Sequence, residues 1–151
     1  LVLDAGALRL FAGCPEPLKL LKGPCFLTPH PGEAAALLGC RAEEVQADRE
    51  GALTELQKLT GATVVLKGHQ TRVLGPDGIP WLNVNGNAGL ATAGTGDVLA
   101  GVLGALLAQG VPAAAAAPLA VFLHAQAGDR LMLQRRGIAF TAEELRVCLP
   151  R

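Results

Sequence analysis

"CFLTPHPGEAAALLG" (residues 25–39) decides the fold class of this chain. Its first four residues form the short apolar run expected of a buried strand, and a helical pattern follows with Pro31 at the favoured first position. A change from strand to helix within a few residues is typical of α/β proteins. His30 is therefore expected at the carboxyl edge of the sheet, where open α/β sheets usually bind ligands, although it could equally serve only as a helix cap.

Further short apolar runs bounded by Gly or Pro predict the remaining strands. They are "LVLD" (1–4), "TVVLK" (63–67), "TRVLG" (71–75) and "WLNV" (81–84). A helical pattern over residues 43–61 lies between the second and third of the five strands. Because strand and helix alternate, we expect a mainly parallel sheet with helices on both faces.

The second half of the chain is predicted to be helical. Helices are expected over 96–109, over 113–134 as one helix or two, and over 141–149. Gly101 and Gly104 interrupt the apolar residues of the first of these helices. We expect them to permit close approach of a neighbouring backbone.

Length and composition predict one domain over residues 1–151. The chain has 151 residues, half of them hydrophobic, and a formal net charge of zero. This balance excludes a disordered tail and removes the broad attraction on which non-specific binding to nucleic acid or anionic membranes depends. The four cysteines form no C-x-x-C pair and no secretory signal precedes them, so a reducing cytoplasm is the expected location. "LVLD" opens without Met inside an apparent strand, so we expect that an N-terminal portion is missing.

The most unusual stretch is "NGNAGLATAGTGDVLAGVLGALLAQG" (85–110), which has seven glycines in 26 residues. The backbone N–H groups of Gly94, Thr95 and Gly96 can converge at the positive end of the helix that follows, which makes an anion site suited to a phosphoryl group. Asp97 would face the same site as a candidate general base. The simpler interpretation is an acid that offsets the helix dipole, but a cap alone does not require so many glycines.

A third candidate segment is "LKGHQTRV" (66–73), a strand, a short connection and a second strand. Lys67 could contact phosphate and the backbone of 67–71 could line a nucleotide; on spacing alone an ordinary hairpin with a solvated lysine is favoured. His124, in an apolar helix, is expected in the core or at an interface. The sequence contains no P-loop, no dinucleotide fingerprint, no G-x-S-x-G and no structural zinc spacing.

Together, "LTPHPGE", "VVLKGHQT" and "GNAGLATAGTGDVLAG" resemble, in this order and spacing, the ADP-dependent NAD(P)H-hydrate dehydratases of the ribokinase-like superfamily. The resemblance covers nearly the whole chain. It implies a ribokinase-like α/β fold and repair of hydrated NADH or NADPH, which lose water at the expense of ADP or ATP. Phosphorylation of the hydrate's hydroxyl followed by loss of phosphate is the implied route, with Mg²⁺ bridging the phosphates.

The resemblance also implies roles for individual residues. His30 and Asp97 would contact the hydrated substrate, Asp97 also as the catalytic base. Gly94, Thr95 and Gly96 would form the anion hole. The adenine nucleotide would be held by Lys67, Gly68, His69, Gln70, Thr71 and Gly96. No residue is implied as a metal ligand, and a homo-oligomer, for example a tetramer, is the expected assembly.

The chain departs from the family pattern near its start. The family commonly has D-A-D-A-L-N or D-A-D-G-L where this chain has "LDAGALRL", so Gly6 replaces an acid and Arg9 replaces Asn. Two other functions stay open at this point. One is a kinase of the same superfamily acting on a sugar or vitamin-precursor alcohol, and the other is a nucleotide-binding remnant without catalysis.

Overall fold

The computed structural model describes residues 1–150, which form two compact units divided after Leu82. The first unit contains every strand of the described chain and the second is helical. Each unit is described by itself. The single domain expected from chain length stays a prediction.

The first unit is built on a five-stranded sheet in the order β1-β2-β3-β4-β5. The strands are β1 (Val2–Leu3), β2 (Phe26–Leu27), β3 (Thr63–Leu66), β4 (Arg72–Leu74) and β5 (Pro80–Leu82). β1, β2 and β3 pair in parallel, as strand and helix alternation predicted, whereas β3–β4 and β4–β5 are antiparallel. The connections explain this difference, because a parallel pairing needs a crossover of a dozen or more residues and only residues 67–71 join β3 to β4.

The helices of the first unit lie between its parallel strands. They are α1 (Gly6–Arg9), a 3-10 helix (Glu16–Leu20), α2 (Pro31–Leu38), α3 (Ala42–Ala47) and α4 (Arg49–Thr60). The helical pattern predicted over 43–61 forms two helices and not one, because it is interrupted at Asp48. Asp48 ends α3 with non-helical backbone angles, and its carboxylate accepts a hydrogen bond from the N–H of Gly51 at 2.8 Å, so it caps α4.

Apolar side chains from the strands and helices bury a common core in the first unit. Leu27, Val64 and Leu66 of the sheet pack with Leu37 of α2 and Leu56 of α4, all at most 1% exposed. This core fixes β1, β2 and β3 side by side. The residues that follow these three strands are consequently brought to one edge of the sheet.

The second unit contains a 3-10 helix (Ala88–Ala91), α5 (Thr95–Ala108), α6 (Ala113–Arg135) and α7 (Ala142–Cys148). These bounds agree with the predicted helices, and 113–134 forms one continuous helix. Leu131 of α6 packs with Phe140 and with Leu145 of α7. The close approach expected at Gly101 and Gly104 is not found, because within residues 1–150 nothing lies within 4 Å of a Cβ built at either glycine.

The state of the cysteines and the character of the helices bear on what the composition led us to expect. All four cysteines are free thiols, Cys25 buried and Cys14 and Cys40 exposed. Across residues 1–150, none of the helices combines the length and the apolar character needed to cross a bilayer.

Candidate functional site

Polar side chains meet at the carboxyl ends of the three parallel strands. Asp4 follows β1, His30 follows β2 and Lys67 follows β3. The Lys67 ammonium lies 2.8 Å from a carboxylate oxygen of Asp4 and 3.8 Å from one of Glu33 in α2. The three side chains are only 19%, 12% and 8% exposed, so the charges are partly removed from water and hold one another. Lys67 is therefore part of an ion-pair cluster and not the solvated lysine of the hairpin alternative.

His30 is the N-cap of α2. Its Nδ1 accepts hydrogen bonds from the N–H groups of Gly32 at 3.0 Å and Glu33 at 3.3 Å, and the Glu33 carboxylate accepts one from the His30 N–H at 2.9 Å. Because Nδ1 is an acceptor, the neutral ring carries its proton on Nε2. The side chain is 53% exposed, with Nε2 lying 3.5 Å from Glu33 Oε1. Capping thus uses one ring nitrogen and leaves the other as a donor at the sheet edge.

Residues 67–71 form the hairpin loop between β3 and β4. Gly68 has φ +131° and Gln70 has φ +53°, while the Thr71 hydroxyl donates to the Gly68 carbonyl at 3.0 Å. His69 and Gln70 are exposed. The Lys67 N–H donates to the Pro29 carbonyl at 2.8 Å, which ties the start of the loop to the segment that contains His30.

In the second unit, the glycine-rich turn leads into α5. Gly94 is the N-cap in the left-handed region (φ +85°), and Thr95, Gly96 and Asp97 are the first three helical residues. The Thr95 N–H donates a long hydrogen bond of 3.3 Å to the Thr92 carbonyl. Within residues 1–150, the N–H groups of Gly94, Gly96 and Asp97 have no acceptor. Uncompensated amides at the positive end of a 14-residue helix favour an anion.

The buried side chain of Thr95, which is 3% exposed, fixes the conformation of the turn. Its hydroxyl lies 2.6 Å from the Leu90 carbonyl and 2.8 Å from the Thr92 carbonyl. Its own carbonyl lies 2.8 Å from Nε2 of the buried His124, and since a carbonyl can only accept, His124 is the donor. His124 is a buried residue as the sequence indicated, with a hydrogen bond to the turn that the sequence did not predict.

Asp129 of α6 orders the beginning of the glycine-rich segment. Its carboxylate accepts from the Gly86 N–H at 2.9 Å and from the Asn87 side-chain amide at 3.0 Å. Asn87 in turn accepts from the Gly89 N–H at 3.0 Å and caps the 3-10 helix. Sequence reasoning missed Asp129 because its partners lie more than forty residues away, with no local signal.

Asp97 is exposed, and within residues 1–150 its carboxylate receives no hydrogen bond and no ion pair. It is the third residue of α5 and directly follows Gly96, the last of the residues expected to form the anion hole. Its carboxylate is consequently available to accept a proton or a hydrogen bond from a ligand.

The sequence of the whole chain matches one family. The family profile described as NAD(P)H-hydrate dehydratase matches residues 1–151. The chain belongs to the NAD(P)H-hydrate dehydratase family. The resemblance inferred from the three motifs is confirmed.

Individual members of the family give the same result. The chain is 51% identical over 141 residues to an ADP-dependent (S)-NAD(P)H-hydrate dehydratase of Neisseria meningitidis serogroup B, a match that covers 91% of this chain and 47% of that protein. The crystal structure of the ADP/ATP-dependent NAD(P)H-hydrate dehydratase of Bacillus subtilis, co-crystallised with ATP/Mg²⁺, matches with a TM-score of 0.88 at 37% identity, over 99% of this chain and 52% of that one.

A third match supports the fold class. A ribokinase-like superfamily protein of Enterococcus faecalis V583 matches with a TM-score of 0.79 at 31% identity and covers 99% of this chain and 50% of that one. The predicted ribokinase-like α/β fold is confirmed. The chain spans about half the length of these relatives.

Proposed function

We propose that the protein containing this chain dehydrates hydrated NADH and NADPH at the expense of ADP or ATP. The observation that carries the proposal is the turn at 94–97, in a chain of the NAD(P)H-hydrate dehydratase family. Backbone amides and a carboxylate that have no partner within residues 1–150 share the start of α5 there. A phosphoryl group in transfer needs hydrogen-bond donors for its oxygens and a base for the attacking hydroxyl, and this turn has both kinds of group. Phosphoryl transfer depends on positioning and on charge stabilisation more than on covalent help from the protein.

In this proposal the anion hole is formed by Gly94, Thr95 and Gly96. The free N–H groups of Gly94 and Gly96 donate to the phosphoryl oxygens, and the Asp97 N–H lies next in the same turn. Thr95 contributes its N–H when the long bond to Thr92 opens, and its buried hydroxyl keeps the turn in place. Within the described residues the N–H groups of Gly94 and Gly96 are already free, and preorganised donors of this kind stabilise charge without reorganisation at the moment of transfer.

Asp97 is proposed as the general base. It accepts the proton of the hydrate's hydroxyl as that oxygen attacks the terminal phosphorus of the nucleotide, and the bond between this phosphorus and the bridging oxygen breaks. AMP leaves when ADP is the donor, and ADP leaves when ATP is the donor. The C–O bond of the phosphate ester then breaks with departure of phosphate. Loss of a proton from the neighbouring carbon restores the double bond of the reduced nicotinamide.

His30 is proposed to bind the hydrated substrate together with Asp97. Because Nδ1 is engaged by the cap of α2, the ring offers an Nε2–H donor to a carbonyl or hydroxyl oxygen of the substrate. The Glu33 carboxylate beside Nε2 favours this orientation of the ring. His30 is thus proposed to orient the substrate rather than to transfer a proton.

The adenine nucleotide is proposed to bind Lys67, Gly68, His69, Gln70, Thr71 and Gly96. The exposed backbone of 68–70 supports this assignment, since it offers peptide groups to a ligand. Lys67 would contribute from within its cluster with Asp4 and Glu33.

Mg²⁺ is proposed to accompany the nucleotide. Within residues 1–150 no three acidic, histidine or cysteine side chains are grouped as a metal site. A dedicated cage of protein ligands is not needed, because Mg²⁺ is commonly held by substrate phosphates, waters and few protein ligands. When bound it would neutralise phosphate charge. The Bacillus subtilis relative co-crystallised with ATP/Mg²⁺ supports this assignment.

Several broader assignments complete the proposal. We propose that the two units act as one domain, that the protein works in the cytoplasm as a homo-oligomer such as a tetramer, and that it acts without nucleic acid or membrane. The zero net charge supports the last point.

The proposal is tested with Asp97→Asn in the natural full-length protein. The wild type is incubated with hydrated NADH and ADP or ATP, and orthophosphate release and recovery of reduced-nicotinamide absorbance are followed. Loss of a general base is expected to lower turnover by roughly a hundredfold to ten-thousandfold, while ADP affinity is largely retained.

Glu143→Gln is the matched control, since Glu143 is also an acid in the first turn of a helix, α7. An acid that only offsets a helix dipole would make the two variants behave alike, with unchanged turnover, and this result would exclude Asp97 as the base. A stable phosphorylated product in place of orthophosphate would identify a kinase. Nucleotide binding without turnover in the wild type would identify a non-catalytic protein.

A further inference from the structure

Arg49, the first residue of α4, reaches from the helix to the hairpin loop that follows β3. Its Nη2 donates to the carbonyls of Leu66 at 3.1 Å and Lys67 at 3.2 Å. Its Nη1 donates to the side-chain carbonyl of Gln46 at 2.8 Å. One guanidinium group therefore joins α3, α4 and the end of β3 where the loop begins.

The same guanidinium lies against the α-carbon of Gly68. A Cβ built on Gly68 would be 3.0 Å from Nη1 and 3.3 Å from Nη2 of Arg49. Gly68 also has φ +131°, a conformation that side chains rarely adopt. Because Gly68 has no side chain, the backbone of the loop can contact the Arg49 guanidinium directly.

The loop needs such a support because its own conformation is unfavourable. Gln70 has φ +53°, which for a residue other than glycine costs free energy and persists only when surrounding contacts impose it. Within residues 1–150, the Thr71 hydroxyl bond to the Gly68 carbonyl is the only hydrogen bond a side chain of the loop makes to the loop's own backbone. The hydrogen bonds of Arg49 to the Leu66 and Lys67 carbonyls hold the N-terminal end of the loop in place.

Keeping an arginine here is costly. Burial, and secondarily the nearby Arg72 guanidinium, lower the pKa of Arg49, and its Nε is buried without a hydrogen-bond partner within the described residues. Packing alone would be served as well by an apolar side chain of similar size. A partly desolvated guanidinium whose hydrogen bonds reach the backbone at the start of the loop indicates a role in the geometry of that loop.

We propose that Arg49 is a positioning residue for the nucleotide-binding segment 67–71: its guanidinium fixes the Leu66 and Lys67 carbonyls and supports Gly68, so that the loop is held ready for an adenine nucleotide. The inference rests on the proposed function for the identity of the ligand. Arg49 makes no contact with the reacting atoms in this account. It acts through the loop.

The test compares Arg49→Gln and Arg49→Lys with the control Arg41→Gln in the full-length protein. Arg41 is an exposed arginine of the same unit that pairs with Glu44 of its own helix. The measurements are the Kd of ADP by calorimetry well below the melting temperature, the KM of ADP against the KM of hydrated NADH, and kcat. Arg49→Gln is expected to weaken ADP binding by roughly tenfold to a hundredfold, the equivalent of one charged hydrogen bond, with little change in the KM of the hydrate.

Arg49→Lys keeps the charge but loses the planar fork, so it is expected to weaken ADP binding to an intermediate degree. It also serves as the test if Arg49→Gln fails to fold. A lysine variant that binds ADP like the wild type would overturn the proposal, and so would equal losses of affinity for ADP and hydrate. A lowered melting temperature with unchanged Kd would show a merely structural role and would overturn it too.

Failure of the proposed function gives a different result. If the wild-type protein binds neither ADP nor ATP, the assigned ligand is wrong, whatever Arg49 does. The support itself is then tested by amide hydrogen exchange. If the backbone amides of 67–71 exchange faster in Arg49→Lys while those of β3 do not, Arg49 does fix the conformation of the loop. Unchanged exchange would refute this role.

Discussion

Gly89 offers the sharpest test of how the glycine-rich segment is built. It is buried in the 3-10 helix that precedes the turn at 94–97, and it does not have a positive φ. A Cβ at this position would lie 2.4 Å from the Ile138 carbonyl oxygen and 2.4 Å from Cε1 of the Phe140 ring. Glycine is therefore required here by close packing and not by backbone angles.

The magnitude of Gly89→Ala follows from these contacts. Real Cβ atoms almost never come within 3.0 Å of another heavy atom, so residue 89 must separate from the Ile138 backbone and from the Phe140 ring by more than half an ångström. Overpacking of this kind costs about 1–3 kcal/mol, and the reduced freedom of the unfolded chain returns a part of it. We expect a net loss of about 1.5 kcal/mol, or a melting temperature lower by about 3–6 °C for a chain of this size.

The assay is thermal and denaturant unfolding of the variant, with phosphate release measured alongside. Gly101→Ala is the matched control, because Gly101 lies inside α5 with nothing within 4 Å of its built Cβ. Alanine there should stabilise the protein by roughly 0.5–1 kcal/mol. Equal stability of the Gly89 variant and the wild type would refute the close packing of the segment against residues 138–140.

Three further predictions address other parts of the molecule. Lys67→Met leaves the carboxylates of Asp4 and Glu33 without their cation, so urea unfolding should show a loss of about 3 kcal/mol; a change below about 1 kcal/mol would contradict the ion-pair cluster. The Thr141 N–H, which donates to the Glu144 carboxylate, lowers the pKa of Glu144, so this group stabilises α7 above its unfolded pKa and ceases to do so as pH falls through its folded pKa. The melting temperature of Glu144→Gln should therefore be lower than that of the wild type at neutral pH, and the two should converge in acid. A difference that stays constant with pH would contradict this. Burial raises the pKa of the Cys25 thiol, so iodoacetamide should label the exposed Cys14 well before Cys25, as followed by mass spectrometry, and equal rates would refute the burial.

Local chemistry in the sequence determined much of the fold. Apolar runs predicted the five strands, Pro31 marked the start of α2, and the helical ranges 43–61 and 141–149 indicated where other helices end and begin. These signals act between residues a few positions apart, so they can be read from sequence. The break at Asp48 was missed because a continuous helical period hid the capping role of that residue.

The candidate site was only half visible in the sequence. His30, Lys67 and Asp97 were found because each stands beside a local motif of Pro or Gly. Asp4, Arg49, Asp129 and the hydrogen bond of His124 were not, since their partners lie between 17 and 63 residues away. Nothing in the sequence near these residues indicates such contacts.

The sequence by itself determined which segments become strand or helix, where the glycine-rich turn before α5 lies, and to which family the chain belongs. Only the tertiary structure decided that Lys67 is held by two carboxylates, that Arg49 supports the loop at Gly68, and that Gly89 is a packing glycine. The physical reason is that backbone preference and periodicity are local, whereas ion pairs, buried hydrogen bonds and close contacts depend on which distant segments the fold brings together.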